Sequence, residues 1–116
     1  AKLGIITNGP SAHQWDKVKA LGVMKWISKE QVIVSGDFDI MKPDPGIFRH
    51  MEERLGMKPQ DCCYIGDSIE NDIVGAANAG WRSVWINRRN RENQSGIEPD
   101  YTVYNEQELY DLLMEL

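Results

Sequence analysis

Cys62-Cys63-Tyr64-Ile65-Gly66-Asp67-Ser68-Ile69-Glu70-Asn71-Asp72 is the stretch that decides the fold. A short apolar run stops at a glycine, an acid comes at once, and apolar residues then recur at Ile69, Ile73, Ala76 and Ala77 until Gly80. A brief apolar run bounded by such a break is a buried strand, and recurrence every three or four residues is one face of a helix. The stretch is therefore a strand, Cys62–Ile65, that turns sharply into a helix. Trp81–Ile86 starts the next strand directly after Gly80.

The same rhythm extends in both directions. Upstream, Val32-Ile33-Val34 is β-branched and reads as a buried strand. Asp44-Pro45 supplies an N-cap and a first-turn proline to a helix whose apolar face is Ile47, Phe48, Met51 and Leu55, stopped by Gly56. Leu3–Ile6 is a further apolar run, ended by Thr7-Asn8-Gly9-Pro10. Ser11-Ala12-His13-Gln14 has the form of a capping box, with Trp15, Val18 and Leu21 behind it at helical spacing up to Gly22. Downstream, 87–100 is polar and reads as loop, Tyr101–Tyr104 as a short edge strand, and Asn105 with Glu108 as a second capping box. The last helix then carries Leu109, Leu112, Leu113 and Leu116. Strands alternating with helices imply right-handed crossovers, hence an α/β fold in three layers: a Rossmann-like parallel sheet with helices on both faces. Ligands in such folds lie beyond the carboxyl ends of the strands.

The 116 residues fit one domain, and 41% hydrophobic with 27% charged residues is ordinary for a folded soluble chain. A net charge of -5 argues against nucleic acid as a partner. Asn87-Arg88-Arg89-Asn90-Arg91 is a local exception, read as a solvated loop, with a substrate-facing arginine as the second reading. Cys62 and Cys63 are adjacent, a spacing that rarely suits a disulfide, and read as thiols on a strand in a reducing compartment. Ala1-Lys2-Leu3 shows no signal peptide, and no apolar run reaches the ~18 residues of a membrane span. A soluble cytoplasmic protein is expected. Trp15 and Trp26 are expected in the core, and His50 on a partly exposed helix face.

Three strand ends carry polar groups. Thr7-Asn8-Gly9 offers a hydroxyl, an amide and backbone N–H groups that suit phosphate oxygens, or else a plain turn. Lys42-Pro43-Asp44-Pro45 holds an ammonium on a stiff segment suited to neutralising a phosphoryl group, or else a solvated lysine before a helix. Asp67 and Asp72, five positions apart across the strand-to-helix turn, offer the hard oxygens Mg²⁺ takes, or else cap the helix. Together they form a stronger signal than any one alone.

In that order the three segments resemble the haloacid dehalogenase superfamily, phosphatase branch, with likeness to phosphoglycolate phosphatases and nucleotidases. Ile5–Gly9 resembles its second motif, Lys42–Phe48 its third and Gly66–Asp72 its fourth, and Gly75–Gly80 matches the next helix of the family. The resemblance implies that Thr7 and Asn8 hold the transferring phosphoryl group, that Lys42 is catalytic and steadies phosphate and nucleophile charge, and that Asp67 ligates Mg²⁺. Asp72 is implied to support the metal's shell or its waters, and is within reach of Lys42. It further implies hydrolysis of a small phosphorylated metabolite through an aspartyl-phosphate.

The family's first motif, an Asp-x-Asp holding the nucleophile and the general acid, should precede Thr7, and this sequence has none there. Asp37-Phe38-Asp39 is a decoy: it comes after the second motif and lacks the hydroxyl residue two places on. Residues 1–116 are thus expected to be a partial core domain without cap or nucleophile strand, inactive in isolation, completed by an N-terminal segment or a complementing chain. The missing strand is expected between those ending at Thr7 and Asp67, so these two should not pair directly. A non-catalytic binding or regulatory domain of the same fold is the alternative; a phosphomutase shares the motifs, and a receiver domain shares the fold class but would carry its acids near the N-terminus. Substrate identity is not legible.

Overall fold

The computed structural model describes residues 2–115. Two parallel sheets form, one on each side of a cleft. The first holds β1 (Ile5–Thr7) and β2 (Val32–Val34), with Ile6 opposite Ile33. The second holds β3 (Cys63–Gly66), β4 (Arg82–Ile86) and β5 (Tyr101–Val103) in that order, with Ile65 opposite Val84 and Trp85 opposite Thr102. Among the described residues β1 and β3 share no backbone pairing, so each presents an open edge. Tyr64 reaches across instead, its hydroxyl donating to the Ile6 carbonyl at 2.8 Å.

Helices cover both faces. α1 (Ser11–Ala20) packs on one side, where Val18, Ile27, Val32 and Val34 form an apolar cluster. Val34 runs directly into a four-residue helix, α2 (Ser35–Phe38), ending at Asp39 in the left-handed region with φ 57°. On the other side α3 (Pro45–Leu55) and α4 (Val74–Ala79) close over Ile6, Ile33, Ile47, Phe48 and Trp81. Successive strand residues point to opposite faces, which is why Ile33 joins one cluster while its neighbours Val32 and Val34 join the other. Phe48 is fully buried and meets the rings of Tyr64 and Trp81 edge-on, with centroids 5.2 and 5.1 Å away. α5 (Glu106–Glu115) comes after β5.

The architecture is the parallel α/β arrangement expected, with strand ends displaced by one or two residues. Several local expectations change. α1 has Pro10 as its N-cap with no side-chain cap, because the Gln14 amide turns away from the helix start and donates to Thr7. A capping box forms instead at Ser28 with Gln31. Trp26 is 79% exposed rather than in the core, since the chain leaves α1 through a tight 3₁₀ turn that turns it outward. Trp15 is half-buried against the α1 cluster, as expected.

The helix after β3 opens with a π-helical turn, Ile69–Ile73. Its extra residue per turn shifts the phase of every later helical position. Ile69 and Ile73 therefore pack with Trp85, Ala76 and Ala79 face the larger core, and Ala77, expected inward, is exposed. In α5 Leu109 and Leu112 are half-buried and Leu113 is exposed; Leu116, expected to end that stripe, lies outside the described residues, as does Ala1. Cys62 and Cys63 are both free thiols. No helix among the described residues is long and apolar enough to cross a membrane.

Phe48→Ala should destabilise the chain by about 3–5 kcal/mol, because the ring is wholly buried and its neighbours are held by two strands and two helices. Equilibrium urea denaturation measures the loss; a cost below about 1 kcal/mol would show that this cluster is not the main core.

Candidate active site

Lys42 is the centre of the polar network. Its ammonium lies 2.7 Å from Asp72 Oδ1 and 3.0 Å from the Tyr64 hydroxyl, and 5.3 Å above the Tyr64 ring centroid. Lys42 and Asp72 are both buried. An ammonium has three N–H donors, so two are committed and one remains for a further oxygen. Tyr64 gives its only proton to Ile6, and so receives from Lys42 on a lone pair.

Asn8 fixes the lysine from the backbone side. Its amide Nδ2 donates to the Lys42 carbonyl at 3.1 Å, and its Oδ1 accepts from the Lys42 N–H at 2.9 Å. Both ends of the Asn8 side chain are therefore engaged. Thr7 Oγ1 accepts from Gln14 Nε2 at 2.6 Å, which leaves its own proton to donate. Gly9 has φ 146°, and a Cβ there would lie 2.7 Å from Gln14 Cγ. Its N–H donates to Ser35 Oγ at 2.8 Å, tying the loop after β1 to the start of α2.

Asp72 lies within the π-helical turn and meets Lys42 from there. The N–H groups of Asp72 and Ile73 both donate to the Ser68 carbonyl, at 2.8 and 3.3 Å, the first an ordinary α-helical bond and the second the wider π-type bond. Its Oδ2 accepts from the Ser68 N–H at 3.1 Å, so both carboxylate oxygens have partners. Gly66 makes room for it: a Cβ there would stand 2.3 Å from Asp72 Oδ2. Asp67 is different. It is exposed at the end of β3, and its backbone carbonyl accepts from Trp85 Nε1 at 3.1 Å while its carboxylate faces solvent.

Thr7, Asn8, Lys42 and Asp72 are thus linked by direct contacts or through one intervening residue, and Asp67 comes directly after Gly66 at the adjoining strand end. Asp37 lies apart, its carboxylate accepting from Trp15 Nε1 at 2.9 Å. Tyr64, Gln14, Ser35 and Ser68 join the network without having stood out in the sequence. A tyrosine inside an apolar run was the one available signal, since a buried tyrosine needs a partner for its hydroxyl.

Burial works against charge on Lys42, yet the Tyr64 oxygen and the Asp72 carboxylate outweigh it and lift its pKa above the ordinary 10.5. Burial also raises the Tyr64 hydroxyl, with Lys42 partly offsetting it, and raises both thiols.

Between β1 and β3 the cleft has a volume of about 220 Å³, walled by Leu3, Ile6, Met51, Tyr64, Ile65 and Trp81 among others. It lies against the two open edges.

Residues 1–80 match the family model of haloacid dehalogenase-like hydrolases. The glyceraldehyde 3-phosphate phosphatase of Methanopyrus kandleri is 34% identical over 99% of this chain and 50% of its own length. Pyrimidine 5'-nucleotidase YjjG of Escherichia coli is 36% identical over 97% of this chain and 50% of its length. Among solved structures, YfnB of Bacillus subtilis, described as a HAD-hydrolase and solved bound to magnesium, superposes with a TM-score of 0.87 at 31% identity, over 97% of this chain and 49% of that one. The chain spans about half the length of the curated relatives it matches.

Two outcomes test this site. Lys42→Met alone leaves the Asp72 carboxylate buried without its cation and should cost about 3–5 kcal/mol, whereas Lys42→Met with Asp72→Leu should recover most of that in urea denaturation. Equal losses in both would mean the ammonium and carboxylate do not act as a pair. For pH, the folded state holds the protons of Lys42, Tyr64, Cys62 and Cys63 more tightly than the unfolded chain. That stability is complete below the ordinary values and is lost as pH rises through the folded ones. Unfolding free energy should therefore decline from the thiol value of 9.0 upward and fall further beyond 10.0 and 10.5; a flat profile across that window would contradict the assignments.

Proposed function

The chain belongs to the haloacid dehalogenase-like hydrolases, and from that membership we propose that the protein containing it is a Mg²⁺-dependent phosphomonoester hydrolase acting on a small phosphorylated metabolite through an aspartyl-phosphate. The observation that carries the reading is the buried Lys42–Asp72 pair at 2.7 Å, set beside a threonine hydroxyl with a proton to donate. An ammonium oriented by a carboxylate and a phenol, with one N–H unspent, suits charge that builds on phosphoryl oxygens during transfer. Thr7 donates its hydroxyl proton to one of those oxygens and Asn8 its backbone N–H, while the Asn8 side chain keeps Lys42 in place.

The residues present fit Mg²⁺ in part. Asp67 is an exposed carboxylate free to ligate. Asp72 has both oxygens engaged, so its role is to orient Lys42 and to hold the metal's surroundings from one position back. Mg²⁺ ordinarily takes one or two carboxylates together with waters and substrate phosphate. Asp67 is the carboxylate this reading assigns to the metal, with waters and substrate phosphate as its other ligands. When bound, the metal shields phosphoryl charge.

The nucleophile is assigned to an extended segment that fills the cleft between β1 and β3, so that residues 1–116 are part of a core domain. Two open parallel edges and apolar walls favour a strand there, supplied from the same protein or by a complementing chain. With Asp37 held by Trp15, the Asp37–Asp39 pair supports no competing assignment.

The full-length protein should release phosphate from p-nitrophenyl phosphate only when Mg²⁺ is present, and Asp67→Ala should lower the rate at least about a hundredfold, the scale on which loss of a group stabilising transition-state charge is felt. Failure of the full-length protein to hydrolyse any of a broad panel of phosphoesters would sink this reading and favour a non-catalytic binding domain.

A further inference from the structure

A second site stands beside the first, on the loop after β4. It holds three arginines in a chain whose net charge is -5. The loop is built rather than loose. Asn87 is buried, its N–H donates to the Val103 carbonyl at 2.7 Å, and its side chain brackets Arg91 from both sides. Nδ2 donates to the Arg91 carbonyl at 3.0 Å and Oδ1 accepts from the Arg91 N–H at 2.9 Å. The Asn90 N–H closes the turn on the Asn87 carbonyl at 3.2 Å, with Asn90 in the left-handed region at φ 50°. The position of Arg91 is therefore set by an inward-facing asparagine at the end of a central strand.

The loop lies where substrate groups arrive in a parallel sheet, at a carboxyl strand end. Asp67 at the end of β3 and Arg88, Arg89 and Arg91 line one concavity of about 180 Å³. Trp85, on β4, donates to the Asp67 carbonyl and so ties the two strand ends together. Three arginines and one aspartate thus share that lining, a local excess of positive charge. Arg88 is spent on an ion pair with Glu106, whereas Arg89 and Arg91 make no ion pair among the described residues. Arg91 also lines a second hollow with Asp67, Glu70 and Glu92, where acids outnumber it, so the hollow shared with Arg88 and Arg89 is the one suited to an anion.

We propose that Arg91, with Arg89 beside it, binds a second anionic group of the substrate, a carboxylate or a further phosphate remote from the phosphoryl group being cleaved. The planar, forked guanidinium matches such oxyanions through paired hydrogen bonds. A backbone already locked by Asn87 spares part of the ordering cost of binding. The core domain itself thereby discriminates among phosphoesters. The inference rests on the proposed phosphatase reading for its kinetic consequence, but not for the binding event.

Two matched pairs of probes test it on the full-length protein: 3-phosphoglycerate against glycerol 3-phosphate, which differ by a carboxylate, and fructose 1,6-bisphosphate against fructose 6-phosphate, which differ by a phosphate. Calorimetric titration gives the dissociation constants, and steady-state assays give kcat and KM. Arg91→Ala should weaken binding and raise KM for the doubly anionic member of at least one pair by about tenfold or more, as expected for losing a hydrogen bond to a charged group. The singly anionic member and its kcat should change by less than about twofold, within one small hydrogen-bond effect. Which pair responds separates carboxylate from phosphate. Arg91→Lys, which keeps the charge and loses the fork, should fall between. Equal weakening within both pairs, or no change in either, overturns the proposal. If none of the four probes is hydrolysed by the unaltered protein yet the binding difference persists, this inference stands, and the phosphatase reading is decided separately by the broad phosphoester panel.

Discussion

The buried contact between the Lys42 ammonium and the Asp72 carboxylate is the constraint on which the rest of the molecule is organised. Two charges taken out of water cost several kcal/mol each unless every donor and acceptor finds a partner. The surroundings meet that demand residue by residue. Gly66 has no side chain because the carboxylate occupies the space a Cβ would take, and the Ser68 N–H covers the second oxygen. The Tyr64 hydroxyl covers one more ammonium proton, and Asn8 pins the lysine backbone. The ion pair joins two segments distant in sequence, and the hydrogen bonds of Tyr64 and Asn8 tie in β3 and the end of β1. It bridges two sheets that share no backbone ladder, where a fold of this kind ordinarily relies on continuous strand pairing.

The acidic half of this pair sits in the wide helical turn Ile69–Ile73. The Ser68 carbonyl takes the N–H groups of both Asp72 and Ile73, while the Ser68 N–H covers the Asp72 carboxylate. Wide turns of this kind tend to occur at functional sites rather than at random.

The parallel α/β order was legible because β-branched runs such as Val32-Ile33-Val34, and helix stops such as Gly56 and Gly80, act locally. Lys42, Asp67 and Asp72 stood out because polar residues at the ends of apolar runs are conspicuous. The features that stayed hidden depend on partners far along the chain. Nothing near Asn8 says that its amide will clasp residue 42, and nothing near Gln14 says that it will leave the helix start for Thr7. Ala77 was misplaced because helical periodicity assumes a constant 3.6 residues per turn, and one wide turn breaks the phase for everything after it. Trp26 was misplaced because its size suggests burial, whereas the tight turn before it leaves no path inward.

The open edges of β1 and β3 have a consequence for how the chain behaves in a tube. Unpaired N–H and C=O groups beside exposed Leu3 and Ile65 do not discriminate among incoming strands. Each edge is a template to which a strand from a second copy can add as readily as the one the fold awaits.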